Sequence, residues 1–147
     1  MKTEAKRFDE LNTKELYDIL ALRAEVFVVE QECAYQDVDG KDRKAIHIIG
    51  RENDEIVAYA RAFGPGDYFK EASIGRVVVK NSHRTSGLGQ LLIKETEKAI
   101  QNFFNTRSIE LSAQSYLRKF YKDLGYEERG EEYLEDDIPH ILMVKAN

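Results

Sequence analysis

The chain has no tryptophan, one cysteine, two prolines and three histidines in 147 residues. Each scarcity removes a class of protein. A single cysteine, Cys33, cannot close an internal disulfide, so no disulfide-stapled framework is expected. The histidines stand apart, at His47, His83 and His140, which argues against a structural zinc site. No apolar stretch nears the ~20 residues that a membrane-spanning helix needs. Met1 to Arg7 is polar rather than an apolar signal core, so a cytoplasmic protein is expected. The net charge is −5 and no basic tract interrupts it, which speaks against nucleic acid as a partner. The acidic residues Glu131, Glu132, Glu135, Asp136 and Asp137 lack the Asp-x-Asp-x-Asp-Gly spacing of a calcium loop. They read as a solvated rim, and no metal is expected.

What the chain does have is a sharp handover from strand to helix. Val77, Val78 and Val79 form a β-branched run suited to a buried strand. After a loop, Leu88, Leu91, Leu92, Ala99, Ile100 and Phe103 recur near helical spacing. Between them lie Arg84, Thr85, Ser86, Gly87, Leu88, Gly89 and Gln90. A helix N-terminus presents amides without intrahelical partners, and its dipole favours an anion. Glycines let a phosphate approach the main chain closely, and Arg84 adds a charged fork. No Lys-Ser or Lys-Thr follows the glycines, so this is not a nucleoside triphosphate P-loop. A pyrophosphate carried by another kind of molecule is the expected ligand.

The remaining pattern is one continuous α+β domain, residues 1–147, without repeats or linkers. Lys6 to Leu11 reads as a short edge strand. Asn12 and Glu15 form a capping box for a helix whose core face carries Leu16, Ile19, Leu20, Val26 and Phe27. Ile46 to Ile49 and Ile56 to Phe63 are strands joined near Asn53-Asp54, a good hairpin turn. Gly64-Pro65-Gly66-Asp67 breaks the chain before the Val77 strand. A strand through Leu111, a helix through Tyr121 ended by Gly125, and strands at Tyr126 to Leu134 and His140 to Val144 complete the pattern.

The segment Arg84-Thr85-Ser86-Gly87-Leu88-Gly89 after Val77-Val78-Val79 resembles the acyl-CoA motif Gln/Arg-x-x-Gly-x-Gly/Ala of the GNAT acyltransferase superfamily. Ile109 to Gln114 resembles that fold's fifth strand, and Phe120 to Tyr126 its next helix and Tyr-x-x-x-Gly-Phe/Tyr signature. Arg23 to Gln31 and Gly130 to His140 resemble the ElaA-type branch, so the likeness covers nearly the whole chain. Many members carry Asn where Gln114 stands and Ala where Leu117 stands. The resemblance implies a mostly antiparallel, mixed, twisted sheet of about six or seven strands flanked by about four helices. It also implies an N-acyltransferase that moves acetyl from acetyl-CoA to a primary amine. The amine belongs to a small molecule or a protein, and the oligomeric state, a homodimer included, stays open. Two alternatives remain: a non-catalytic acyl-CoA sensor, and an enzyme of the same fold like the acyl-homoserine-lactone synthases. Against the second, this chain is short and has no tryptophan.

Roles follow from the resemblance. Val77 and Val79, with Val78 between them, would pair by main chain with the pantetheine arm, as an added strand does. Arg84 through Gln90 would hold the pyrophosphate, with Gln114 and Tyr121 as further cofactor contacts. Tyr121, four residues before Gly125, is the expected acid for the leaving thiolate, with Tyr116 and Tyr126 as packing residues. An amine of pKa about 10.4 must lose a proton before it attacks, which holds it back by about 4.6 kcal/mol at pH 7. His140 and Glu30 are the candidate bases, since a histidine titrates near neutrality and a carboxylate at a helix end could bind the amine or take its proton. Gln31 and Glu132 join them as candidate acceptor contacts. Arg61 and Arg76 sit in strand-like runs, where an arginine must be paired. They either grip an acceptor carboxylate or brace the sheet through Glu25, Glu71 or Glu132. His47 is expected to be structural and His83 solvated.

Overall fold

The computed structural model describes residues 1–146. Seven strands form one sheet: β1 (Lys2–Arg7), β2 (Ile46–Glu52), β3 (Glu55–Phe63), β4 (Ala72–Val79), β5 (Ile109–Gln114), β6 (Glu127–Glu135) and β7 (Ile138–Lys145). Their order across the sheet is β1-β2-β3-β4-β5-β7-β6. All neighbours are antiparallel except β4 and β5. Three α-helices flank it: α1 (Thr13–Arg23), α2 (Leu88–Phe104) and α3 (Arg118–Asp123). Instead of a separate fourth helix, α1 runs on into a π-helical stretch, Ala24–Glu30. Among the described residues no helix is long and apolar enough to cross a membrane.

The first strand lies earlier than its sequence pattern suggests. It spans Lys2–Arg7, because Lys2 to Arg7 pair in register with Arg51 to Ile46 of β2, and a 3₁₀ turn at Phe8–Glu10 then ends it. Asn12 caps α1 as expected: its side chain accepts from the Glu15 amide at 2.7 Å, and Glu15 returns a bond to the Asn12 amide at 3.0 Å. The core face of α1 is Ile19, Leu22 and, on the π-helical stretch, Val26, while Leu16 and Leu20 are half-buried. Asn53 and Asp54 both take positive φ, 50° and 67°, as a tight hairpin turn requires.

Two cores lie on opposite faces of the sheet. One holds Leu92, Ile93 and Ile100 of α2 with Leu111, Ile141, Met143 and Tyr121. The other holds Ile19, Leu22 and Val26 against Tyr59 and Val78. Val78 is buried while Val77 and Val79 are half-buried, as alternation along a strand dictates.

Beneath the second core lies a charge-balanced network of Arg23, Arg61 and Arg76 with Asp37, Asp39 and Asp42. Arg23 bonds Asp37 and Asp42, each at 2.8 Å. Arg61 reaches Asp39 at 2.6 Å and Asp42 at 2.9 Å. Arg76 reaches Asp37 at 2.8 Å and lies beside the Tyr35 ring. The partners of Arg61 and Arg76 are thus the aspartates of the α1–β2 connection, not Glu25, Glu71 or Glu132. The buried His47 bonds the Tyr59 hydroxyl at 2.6 Å and the Asp42 carbonyl at 2.9 Å, and burial pushes its pKa down. It is a structural residue.

Burial alone would push the Asp42 carboxyl up, but Arg23 and Arg61 overcome this and hold it below its ordinary value. Asp39 is depressed in the same way. Depressed carboxylates stabilise the fold above their unfolded pKa of about 3.9 and lose that contribution as pH falls through the folded value. Thermal stability should therefore hold steady from pH 7 to about 5 and decline below about pH 4. Asp42→Ala takes one of two carboxylate partners from each of two buried guanidinium groups and leaves the network with an unbalanced positive charge, which should cost about 3–5 kcal/mol in a urea melt. A loss below about 1 kcal/mol would show that the network is not a brace.

Candidate active site

The parallel seam is where the sheet opens. β4 and β5 pair only through Ala72↔Ile109 and Ser73↔Glu110. Beyond these two rungs the strands diverge. A bulge helps: β4 gains one residue on β3 between the Tyr59↔Val78 and Arg61↔Gly75 pairs, with Arg76 at φ 48°. The result is a cleft of about 450 Å³ lined by Ile74 to Val79 on one side and Leu111 to Gln114 on the other. It passes between the two faces of the sheet. From one face come Gly89, Gln90, Phe120 and Tyr121; from the other come Phe27, Glu30, Gln31 and Tyr35.

At one end of the cleft stands the N-terminus of α2. Gly87 is its N-cap, with φ 74°, and the helix starts at Leu88. No side chain caps it, and no acidic residue occupies its first turn. Its first amides are therefore free to receive an anion. A Cβ on Gly87 would meet little, since only Gln90 Oε1 lies near, at 3.9 Å. Its constraint is the left-handed backbone. Gly89 differs: a Cβ there would come within 3.2 Å of the Phe120 ring. That glycine lets α2 pack on α3 as well as opening the main chain. Thr85 and Ser86 are exposed in the turn, whereas Leu88 points into the core and contributes only its main chain.

Arg84 is held at two points. Its Nε donates to the Val79 carbonyl at 2.9 Å, and its two terminal nitrogens donate to the Glu30 carboxylate at 2.5 and 3.0 Å. This relocates Glu30. The π-helical stretch carries it to the loop before α2, where Arg84 neutralises it. Gln31, the next residue, bonds Gln114 of β5 through both amide groups, at 3.1 and 3.2 Å. The two glutamines tie the π-helical stretch to the far wall of the cleft.

Tyr121 enters from α3. It is buried, lines the cleft, and its hydroxyl makes no hydrogen bond among the described residues. Burial, reinforced by Tyr116 nearby, pushes its pKa up, so the phenol stays protonated throughout the neutral range. The neighbouring tyrosines differ. Tyr126 donates to Glu97 at 2.8 Å and is a packing residue, and Tyr116 is largely exposed at the mouth.

The opposite end is built by β5, β6 and β7. His140 is 6% exposed. Its Nδ1 lies 2.7 Å from the Ile138 carbonyl. A carbonyl only accepts, so Nδ1 carries a proton, and in the neutral imidazole Nε2 keeps a lone pair. Nε2 lies 3.4 Å from Glu135, and the Tyr133 ring stacks on the imidazole. Ser112 bonds the Tyr133 hydroxyl and donates to Glu135. Glu132, expected at the acceptor, faces away and pairs with Arg118 of α3 at 2.6 Å. Glu135 lines the cleft instead. The reason is a bulge at Gly130: β6 advances from Arg129 to Tyr133 while β7 moves only from Leu142 to His140. A glycine inside a strand-like run was the available signal. Arg61 and Arg76 line the cleft, but their charges are taken by the aspartates.

Residues 10–147 match the family described as the acetyltransferase (GNAT) domain. The chain belongs to the GNAT acetyltransferase family. It is 42% identical over 138 residues to the protein ElaA of Escherichia coli K12, covering 92% of this chain and 90% of that one. The crystal structure of E. coli ElaA superposes with a TM-score of 0.91, at 39% identity over 98% of both chains. An acyl-CoA N-acyltransferase from Pseudomonas aeruginosa superposes with a TM-score of 0.92, at 39% identity over 99% of both chains. An aminoglycoside 6′-N-acetyltransferase complexed with coenzyme A shares the fold, with a TM-score of 0.71 at 20% identity, over 97% of this chain and 96% of that one. The chain is therefore an N-acetyltransferase of the acyl-CoA-binding GNAT fold.

The two glycines should respond differently to substitution. Gly87→Ala forces a Cβ into the left-handed region and should destabilise by about 1–2 kcal/mol, with coenzyme A affinity reduced. Gly89→Val drives branched carbons into Phe120, and should disturb α3 as well as weaken coenzyme A. Calorimetric titration with coenzyme A beside a thermal melt reads both effects. Unchanged affinity in both variants would remove the phosphate site from this loop.

Proposed function

We propose that this acetyltransferase transfers acetyl from acetyl-CoA directly to a primary amine, with Tyr121 as the acid and His140 as the base. One observation carries the reading. A buried, unpartnered phenol and a buried imidazole with a free lone pair enter one cleft from opposite faces of the sheet.

The residues present fit an acyl-CoA. The uncapped amides at Leu88, Gly89 and Gln90 suit a pyrophosphate, and Arg84 supplies a fork beside them. Past Ser73, the edge of β4 facing β5 has lost its strand partner, so main-chain groups on that edge from Ile74 to Val78 can pair with an amide-bearing arm. Bound acyl-CoA supplies an activated thioester. Everything else falls to the chain. His140 Nε2 accepts a proton from the ammonium and leaves a nucleophilic amine. The carbon–nitrogen bond forms as the carbon–sulfur bond breaks. Tyr121 donates its hydrogen bond to the sulfur as charge gathers there.

Full proton transfer from a phenol of pKa about 10 to a thiolate whose acid has pKa about 8.5 runs uphill in water. The raised pKa of Tyr121 increases that gap. Tyr121 can therefore finish the transfer only by regaining a proton, and the nitrogen that has just acylated carries one to give. The phenol acts as a relay that stays protonated at rest.

Tyr121→Phe removes the hydroxyl and keeps the ring. The turnover number should fall by about 10²–10⁴-fold while the Michaelis constant for acetyl-CoA barely moves. With native Tyr121, activity should show no tyrosine limb below about pH 10, because burial moves the phenol upward. Retention of more than about a third of turnover in Tyr121→Phe, with chemistry limiting, would place the acid elsewhere.

A further inference from the structure

We infer that Glu135 and His140 together form the seat for the acceptor's ammonium group, and that the acceptor is an alkylamine whose amine-bearing carbon carries no carboxylate. This rests on the amine-acylating role proposed above and names the chemistry of its acceptor.

The geometry at this end of the cleft is that of two acceptors facing one space. The neutral His140 places its ring proton on the Ile138 carbonyl through Nδ1, so its Nε2 presents a lone pair. Glu135, 3.4 Å away, is an acceptor as well. Neither can satisfy the other without a shared proton. Their other sides are occupied: the Tyr133 ring stacks on the imidazole, and Ser112 donates to the second Glu135 oxygen at 3.3 Å. His140 is more than nine-tenths buried, yet it lines the cleft, so its unmatched nitrogen points where a ligand can reach it. A group with several N–H bonds on one positive nitrogen answers both acceptors at once. An alkylammonium has three such bonds.

The surrounding charges decide what else the acceptor carries. The arginines that line the cleft are held by carboxylates: Arg61 by Asp39 and Asp42, Arg76 by Asp37 and Asp39, and Arg84 by Glu30. Beside the seat stands Asp136, which also lines the cleft and makes no ion pair among the described residues. A carboxylate on the amine-bearing carbon would lie against Glu135 and Asp136 with no available cation. Like charges placed that close oppose binding. An α-amino acid is therefore a poor acceptor, and its decarboxylated counterpart a good one.

Two matched pairs test this without requiring turnover: 1-aminobutane with norvaline, and 2-phenylethylamine with phenylalanine. Each is titrated into the full chain with coenzyme A present, while the His140 imidazole is followed by nitrogen NMR. Both amines should shift the Nε2 resonance, and each should bind at least about tenfold tighter than its amino acid. Glu135→Gln keeps the shape and removes the charge. It should weaken amine binding by at least about tenfold and leave coenzyme A affinity unchanged. Equal binding of an amino acid and its amine, an unmoved His140 resonance at saturating amine, or a Glu135→Gln variant within twofold of the native protein would each overturn the seat. Amines that bind here but are never acetylated would instead sink the catalytic reading and leave the seat standing.

Discussion

Backbone amides and carbonyls must be paired wherever water is excluded, and a sheet meets that demand by keeping its strands together. Here β4 and β5 part after two rungs. The strands on either side remain laddered, β3 against β4 with one bulge and β5 against β7 without a break. The unpaired length of β4 is therefore a local sacrifice inside an otherwise regular sheet. It gives the molecule both a row of main-chain hydrogen-bonding groups and an opening between its two faces. The N-terminus of α2, the phenol of α3 and the imidazole of β7 have meaning only relative to that opening. Close the seam and each becomes an ordinary packing element.

The Arg–Asp network explains how the opening survives. A sheet that parts in its middle needs its outer edge held. The α1–β2 connection does this by bringing Asp37, Asp39 and Asp42 onto arginines from α1, β3 and β4. Three positive and three negative groups cancel, so the brace adds no net charge beside the cleft it backs. Breaking one pair leaves a buried charge, which is why a balanced network is stiff even where an isolated pair contributes little. The same balance answers the question the sequence left open for Arg61 and Arg76. Their charge is used internally.

Much of the fold was legible because it is local. The Asn12–Glu15 capping box, the Asn53–Asp54 turn and the glycine-led start of α2 each follow from a few adjacent residues. The two ends of the cleft were less legible, for different reasons. Glu30 read as an isolated carboxylate at a helix end, and only the π-helical winding of Ala24–Glu30 brings it to Arg84, 54 residues away in the chain. Glu132 and Glu135 are indistinguishable as composition. Which of them lies beside His140 depends on the register of β6, and the bulge at Gly130 sets that register. The splay itself is a property of pairing, and no single strand encodes it.

One contact links parts of the enzyme that are usually considered apart. Gly89 belongs to the first turn of α2, Phe120 to α3, and the Phe120 ring packs edge-on against Tyr121 at 5.0 Å between centroids. A side chain at 89 would thus push on the ring that packs against Tyr121, the acid proposed above. In a lineage of such enzymes the two sites are not free to drift separately. A methyl group gained at position 89 calls for a smaller ring neighbour at 120. The order in which those changes arise then decides whether the intermediate is a working enzyme.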